Sequence, residues 1–287
     1  MKHTDYPALY QAASDLSAQS QKHFFRALSG NIGLLVFATF ISIANSACSQ
    51  VAILQAMVLL FALASAIYLF AGRPDQRWYG ARAVAESIKT LTWRYVSRAE
   101  PFDQTDAMAR HQFGLKLKAV LSQNKEVSRL LTTHLAAEQI APELDVLRNV
   151  TTEKRLDFYR THRIIEQQHW YAKKASENRR MVNRFFTALI ATISIAIFFA
   201  IAKVKYPTAT FWPTDLLVTI AAGLLSWIQA KRFQELSASY ALTAHEISLI
   251  RQSASGPMTD AQLSQFVGDA ENAFSREHTQ WVARKDS

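Results

Sequence analysis

Two long stretches of the chain carry no charged side chain, and the polar residues around them recur at helical spacing. From Ala27 to Gly72 there are 46 consecutive residues without Lys, Arg, Asp or Glu. A membrane-spanning helix needs about 20 apolar residues. The stretch therefore predicts two spans, at about 28–47 and 51–71, joined by a turn near residues 45–50. A buried pair of soluble helices of this length would normally show a charged face.

A second apolar region lies in the C-terminal half of the chain. Residues 185–202 and 216–230 contain no charged side chain. They predict a second hairpin, with spans at about 184–202 and 212–230. The fourth span is short unless the loop before it contributes, and Phe211 and Trp212 in that loop are typical of a membrane–water interface.

The distribution of basic residues predicts the orientation of both hairpins. Of the 32 Lys and Arg residues, only Lys203 and Lys205 lie on a loop between paired spans. Basic residues near spans mark the cytoplasmic side. We therefore expect cytoplasmic termini and a cytoplasmic middle segment, with both hairpin tips outside. The first 26 residues lack the apolar core of a cleavable signal peptide.

The remaining segments also show helical rather than strand periodicity. Only 8 Gly and 7 Pro interrupt 287 residues. Residues 151–186 contain neither and run directly into the third span, which predicts one helix of about 50 residues. We expect the fourth span to continue likewise to Gly256-Pro257, and a last helix to begin at "TDAQ" (259–262), which has capping-box spacing.

Breaks and repeats complete the predicted fold. The "AGRPD" segment (71–75) predicts a break after the second span, because Gly suits a helix end and Pro a helix start. Phe24-Phe25 and Phe185-Phe186 precede the first and third spans in similar contexts, as in a diverged repeat. The sequence therefore predicts an all-α integral membrane protein with two transmembrane hairpins, four spans in all. Its helical cytoplasmic domain would be built on long extensions of the spans.

Candidate pore residues come from uncharged polar positions, because the centres of the spans carry no ionisable group. Such positions share one face of the first span and one face of the fourth. Small-residue and hydroxyl ladders also serve close helix packing, so pore lining and packing both stay open. The candidate pore-lining residues are Asn31, Ser42 and Asn45 on the first span and Thr219, Ser226 and Gln229 on the fourth.

Catalytic chemistry finds little support. The "EQQH" segment (166–169) has the Glu-x-x-His spacing of carboxylate-bridged metal bundles, but these need a second such motif and further glutamates. The chain has no Gly-rich phosphate loop or nucleophile elbow, and its single cysteine, Cys48, excludes an intrachain disulfide. We expect no enzymatic activity, no cofactor and no bound metal.

The net charge of +9 has two interpretations. Basic residues beside a span, as in residues 173–184, set orientation and attract anionic lipid. Arg82, Arg94 and Arg98 lie further from the spans and are candidates for contact with an anionic signal or another subunit. Because topology already explains the charge, we expect no nucleic-acid binding.

Two sets of motifs resemble the SLATT family, whose members are two-transmembrane effector domains associated with SMODS and SLOG proteins. The motif "RWYGARAVAESIKTLTWRYVSRAEPF" (77–102) resembles one subtype, over residues 1–140. The motifs "RIIEQQHWYAKKASENRR" and "DAENAFSREHTQW" resemble another subtype, over residues 141–287. The chain thus resembles two subtypes fused in tandem.

The resemblance implies a pore-forming or membrane-permeabilising effector of a bacterial defence or conflict system, located in the inner membrane. It implies a trigger from elsewhere, either a nucleotide signal or a separate sensor protein. We expect a homo-oligomer, because four short spans make a poor pore alone. The alternative is a membrane-anchored scaffold or sensor that recruits a cytoplasmic partner without conducting ions. Candidate coupling or ligand-contact residues in the motifs are Arg82, Glu86, Trp93, Arg94, Tyr95, Arg163, Gln167, Trp170, Glu271, Glu277, His278 and Trp281.

The first motif is too long to lie wholly at the membrane. A helix rises about 1.5 Å per residue, so Trp93 lies about 22 Å beyond Trp78. We expect Trp78 at the lipid headgroups. Trp93, Arg94 and Tyr95 should instead pack against the second motif region, with Arg94 near an acidic residue such as Glu271 or Glu277.

The topology is testable with reporter fusions. A reporter active only in the cytoplasm should give signal at Met1, Leu130 and Ser287, because basic residues hold these segments inside. A reporter active only outside should work near residues 48 and 208. Signal at Leu130 from the outside reporter would exclude the two-hairpin topology.

Overall fold

The computed structural model describes residues 1–43, 49–208, 211–253 and 256–283, with side chains described up to residue 275 in the last range. Every regular element in these ranges is a helix. The helices are α1 (Ala8–Ile43), α2 (Ser49–Gly72), α3 (Pro74–Val96), α4 (Asp106–Gln123), α5 (Lys125–Ser128), α6 (Pro142–Arg148), α7 (Thr152–Tyr159), α8 (Glu166–Lys205), α9 (Thr214–Lys231), α10 (Phe233–Ser253) and α11 (Asp260–Ala283).

Four of these helices are long and apolar enough to cross a membrane, and they correspond to α1, α2, α8 and α9. The prediction of an all-α protein with four spans is therefore confirmed. The second predicted span, 51–71, lies wholly within α2. The helix of the fourth span, α9, begins at Thr214, two residues later than predicted.

The chain divides into two compact units. The membrane unit contains Lys22–Pro74 and Lys174–Ser239. The helical unit contains Met1–Gln21, Asp75–Lys173 and Tyr240–Ser287. Both units thus draw on both halves of the sequence, because α1 and α8 each contribute residues to both units.

The long helix predicted from residue 151 is present with one local change. α7 leads into a π-helical segment, Arg160–Ile165, and α8 follows at once. A π segment adds a residue to a helical turn and shifts the side chains after it around the axis. Helix is therefore continuous from Thr152 to Lys205.

Each hairpin is followed by a single left-handed residue and a new helix. Gly72 ends α2, Arg73 has φ 40° and Pro74 begins α3, so the break predicted at residues 71–75 is confirmed. Helix continues beyond the fourth span to Ser253, as predicted, but Arg232, with φ 50°, separates α9 from α10.

The last helix begins as its capping-box spacing predicts. The Thr259 hydroxyl accepts from the Gln262 N–H at 3.3 Å, and the Gln262 side-chain oxygen accepts from the Thr259 N–H at 2.9 Å. These reciprocal bonds satisfy two backbone donors that α11 itself leaves unpaired.

The core of the helical unit contains a group of packed aromatic rings. The Tyr95, Phe102 and Phe113 rings pack mutually, with centroids 5.0–5.9 Å apart. Trp93, two residues before Tyr95, packs edge to face on Tyr159, with ring centroids 5.7 Å apart. Each of these five side chains is at most 1% exposed.

The left-handed residue between α9 and α10 gives a test of the backbone. Arg232→Ala and Arg232→Gly both remove the ion pair between Arg232 and Glu235 (2.7 Å). Only Ala keeps a Cβ that resists a positive φ, at about 1–2 kcal/mol. We expect Arg232→Ala to unfold at a lower temperature than Arg232→Gly in detergent, and equal stabilities would contradict the left-handed conformation.

Candidate functional site

In the membrane unit, α1 packs closely against α2. Ala38 and Ile41 of α1 and Val58 of α2 form a buried cluster. The Ser65 hydroxyl of α2 donates to the Ala27 carbonyl of α1 at 3.2 Å. This small-residue contact with an interhelical hydrogen bond is typical of membrane hairpins.

The same helix also contacts α9. The hydroxyls of Thr39 and Thr219 are hydrogen-bonded at 3.2 Å. Gly223 lets the helices approach, because a Cβ there would lie 2.7 Å from Cγ2 of Ile32. α1 therefore contacts both its own hairpin partner and a span of the second hairpin.

A polar stripe follows the exposed side of α9. We use this name for Asp215, Thr219, Ala222, Ser226 and Gln229, which recur at intervals of four and three residues and so share one face. Ser226 and Gln229 are exposed, whereas Thr219 is half-buried by its bond to α1. α9 is also the least apolar of the four spans.

The candidates on α1 divide differently. Ser42 is exposed and Asn31 is half-buried, while Ala38 between them is buried against α2. The first-span face is thus partly used for packing. Asn45 lies outside the described residues.

The exposed surface of α8 has a different character. Its large exposed side chains in the span are apolar, among them Ile190, Ile197, Phe198 and Ile201. Such a surface suits lipid chains. α8 also exposes two hydroxyls in its span, Thr187 and Ser194, among these bulky side chains, whereas α9 additionally exposes an amide, Gln229.

The helical unit has a buried ion pair at its centre. Arg163 and Glu271 are 2% and 0% exposed. The Arg163 guanidinium donates from Nε and Nη2 to the two Glu271 oxygens, at 2.8 and 2.7 Å. The Tyr159 and Thr90 hydroxyls donate to the same carboxylate, each at 3.0 Å. All four sites of a bidentate carboxylate are thereby occupied.

Local structure places these groups together. Tyr159 and Arg163 are four residues apart on one helix face, and Arg163 lies in the π segment. The guanidinium also stacks on Phe274, 4.6 Å from the ring centroid. Burial alone lowers the pKa of Arg163, but the Glu271 carboxylate outweighs it and leaves that pKa above its usual value. The guanidinium and the carboxylate thus form a bidentate salt bridge.

Trp93 and Arg94 contact the second half of the chain, as predicted. Trp93 packs on Phe158 and Tyr159. The Arg94 Nη2 donates to the Gly268 carbonyl at 3.1 Å and the Asn272 side-chain oxygen at 2.7 Å. The prediction that Glu271 is the acidic partner of Arg94 is therefore wrong, because the Glu271 carboxylate pairs with Arg163.

The other predictions for the first motif need adjustment. The Tyr95 hydroxyl donates to Asp145 at 2.8 Å. Trp78 is 9% exposed, and its carbonyl accepts from the Ser17 hydroxyl within the helical unit. The expectation that Trp78 lies at the lipid headgroups is therefore wrong. Glu86 pairs with Lys89 at 3.7 Å, and Arg82 lies on the same helix.

A second ionic network was not predicted from the sequence. Arg148 is fully buried and donates to Asp106 at 2.9 Å and to the Tyr95 carbonyl at 2.7 Å. The Arg148 hydrogen bond holds the pKa of Asp106 below its usual value. Arg98 donates to Asp106 at 3.1 Å and to the Arg148 carbonyl at 3.1 Å. Arg98 therefore serves the fold.

The second motif contributes a further aromatic contact. Trp170 packs edge to face on Tyr240 at 5.5 Å, and Gln167 lies half-buried one turn before it. The side chains of Glu277, His278 and Trp281 lie outside the described part of the structure. Glu166 of the "EQQH" segment pairs with His162 at 2.8 Å. Within the described residues, no group of three or more His, Cys, Asp or Glu side chains could hold a metal.

Two family models match consecutive parts of the chain. Residues 7–156 match the family described as "SMODS and SLOG-associating 2TM effector domain 3". Residues 159–281 match "SMODS and SLOG-associating 2TM effector domain 1". The chain belongs to the SLATT family. Two such two-transmembrane domains in tandem account for the four spans.

The two SLATT segments share both units. The ion-pair cluster joins Thr90 of the first segment to Tyr159, Arg163 and Glu271 of the second. The domain division expected near residue 140 stays a prediction, since the two family matches meet between residues 156 and 159. SLATT membership supports a membrane effector role in association with SMODS and SLOG systems. No curated protein and no solved structure matches the chain.

The ion pair can be tested by removing one or both partners. Glu271→Ala leaves a buried guanidinium unpaired, which costs about 3–5 kcal/mol. We expect this loss in the free energy of unfolding measured by chemical denaturation in detergent. The double variant Arg163→Met with Glu271→Leu should recover much of it. An Ala substitution at the exposed Glu166 serves as control, and an equally small effect at Glu271 would contradict the buried ionic centre.

Proposed function

We propose that this SLATT protein is a non-enzymatic, pore-forming effector that acts as a homo-oligomer in the bacterial inner membrane. Its termini and helical unit lie in the cytoplasm, where a nucleotide signal or a separate sensor protein controls the pore. The polar stripe of α9 carries the proposal. It would line a pore formed by several copies.

The reason is the cost of polar groups in hydrocarbon. The exposed Gln229 amide has no internal bond that would satisfy both its donor and acceptor groups among the described contacts. Facing lipid, such an amide would lack hydrogen-bond partners. Facing water in a pore, or a neighbouring copy, it would find them. Ser226 partly satisfies itself by donating to the Ala222 carbonyl at 2.9 Å, yet its oxygen also faces outward.

The difference between the exposed surfaces of α8 and α9 indicates which helix faces lipid and which faces the pore. Exposed Ile and Phe side chains on α8 suit the lipid side. The stripe on α9 suits the interior of the assembly. Ser42, which is exposed on α1, is a second candidate lining residue. Apart from Asp215 at one end, the stripe carries no charge, so most of the lining would be polar without a charged selectivity ring.

Control from the cytoplasm has a covalent route. α1 and α8 each pass from the helical unit into the membrane unit without a break. A change in the helical unit could thus reach both hairpins. The Arg73 and Arg232 breaks after α2 and α9 are where such a change would be absorbed.

Cysteine accessibility tests the pore in liposomes. Because Cys48 is the only cysteine, Cys48→Ala gives a clean background. We expect a water-soluble, bulky thiol reagent to reduce ion flux at least severalfold in Ser226→Cys and Gln229→Cys. Phe198→Cys on α8 is the matched control and should be insensitive, because lipid surrounds it.

The same assay separates the alternatives. Flux that is blocked equally at all three positions would exclude a pore lined by α9. A reconstituted protein that conducts no ions with or without candidate nucleotides would favour a membrane-anchored scaffold that recruits a partner.

A further inference from the structure

A groove lies between α10 and α11 in the helical unit. It holds a cavity of about 530 Å³. Its walls are largely apolar, with Leu249, Ile250, Met258 and Phe266 among the lining residues. A mainly apolar groove between two helices is the usual receptor for one face of an amphipathic helix.

The rim of the groove is acidic in a basic chain. Glu246 and Asp269 line it, and no Lys or Arg is among the residues that the structure places around it. Both side chains are exposed, and neither has an ion-pair partner among the described residues. Since the chain as a whole carries a charge of +9, this rim favours a positively charged occupant.

The apolar surface continues beyond the groove along α10. Leu242 and Leu249 are seven residues apart on one helix face and are 62% and 67% exposed. Two large aliphatic side chains at heptad spacing on a solvent-exposed helix are typical of a helix-pairing surface. The groove and this face together form a docking surface on the helical unit.

A complementary stripe lies on α4 of the same unit. Met108 and Leu115 are also seven residues apart and are 55% and 48% exposed. His111 and Lys118 lie on the same face, and Lys118 has no acidic partner among the described residues. From Met108 to Lys118 the stripe is about 15 Å long. α4 thus offers apolar side chains flanked by positive charge, the chemistry that the docking surface lacks.

We infer that the groove between α10 and α11 receives the α4 stripe of a second copy of this chain. The inference rests on the oligomer of the proposed function and names its contact in the helical unit. Pairing of two grooves about a twofold axis would oppose Glu246 and Asp269 with the same acids. Pairing of a groove with an α4 stripe joins opposite charges. Such a head-to-tail contact repeats from copy to copy and can close into a ring.

Site-directed cross-linking of the membrane-embedded protein tests the contact. In the Cys48→Ala background, one tagged chain carries Leu249→Cys and a differently tagged chain carries Leu115→Cys. With a short bifunctional maleimide we expect mixed dimers at least tenfold above the same-tag dimers of either variant alone. Leu135→Cys, at an exposed apolar position that belongs to neither surface, is the control.

Each other outcome overturns the inference. Same-tag dimers of Leu249→Cys would mean that two grooves pair with each other. No cross-link would mean that another molecule, or none, occupies the groove. Equal cross-linking of Leu135→Cys would mean that collisions alone bring the copies together.

Charge reversal tests the complementarity separately. Lys118→Glu should reduce the mixed cross-link severalfold, and adding Glu246→Lys with Asp269→Lys should restore it. If Lys118→Glu leaves the amount of mixed cross-linked dimer unchanged, charge complementarity does not contribute to the contact. Ion flux measured on the same samples distinguishes the two proposals. Cross-links without flux would contradict only the proposed pore. Flux without cross-links would contradict only the contact between the groove and α4.

Discussion

Hydrocarbon offers no partner for backbone N–H and C=O groups, so every segment that crosses the membrane must satisfy its own. Helices do this within one segment, and the uncharged runs of this chain accordingly lie in α1, α2, α8 and α9. With the backbone satisfied, packing depends on small residues and hydroxyls. Gly223 against Ile32 and Thr39 against Thr219 show both. What such packing leaves exposed on α9 is the basis for the proposed pore.

The helical unit uses its charges mainly on itself. Arg163 and Arg148 are buried and satisfied by Glu271, Asp106 and backbone carbonyls. A buried ion pair adds little net stability relative to apolar residues of the same size, but breaking it is costly. Its effect is therefore to require one arrangement of α3, the π segment and α11. Since these elements come from both SLATT segments, neither segment would complete this centre alone.

The surfaces that remain are more informative about assembly than the core is. The docking surface on α10 and α11 combines two exposed leucines with carboxylates that have no ion-pair partner among the described residues. The α4 stripe combines exposed Met108 and Leu115 with Lys118. In a single copy both surfaces stay exposed, so their apolar side chains do not contribute burial to the stability of the fold. Their complementarity and the polar stripe of α9 are separate observations, one in each unit, that are both consistent with several copies in the membrane.

The sequence by itself determined the features that depend on neighbours in the chain. Apolar runs specify spans, Gly72 and Pro74 specify a break, and Thr259 with Gln262 specifies a helix start, because each involves bonds within about one turn. Only the tertiary structure decided which charges pair. Arg163 and Glu271 are 108 residues apart, and Arg94 bonds Gly268 and Asn272 instead of an acid. Arg232 is left-handed where no Gly or Pro marks a break in the sequence. Which face of α9 stays exposed depends on its contacts with α1, which local periodicity does not encode.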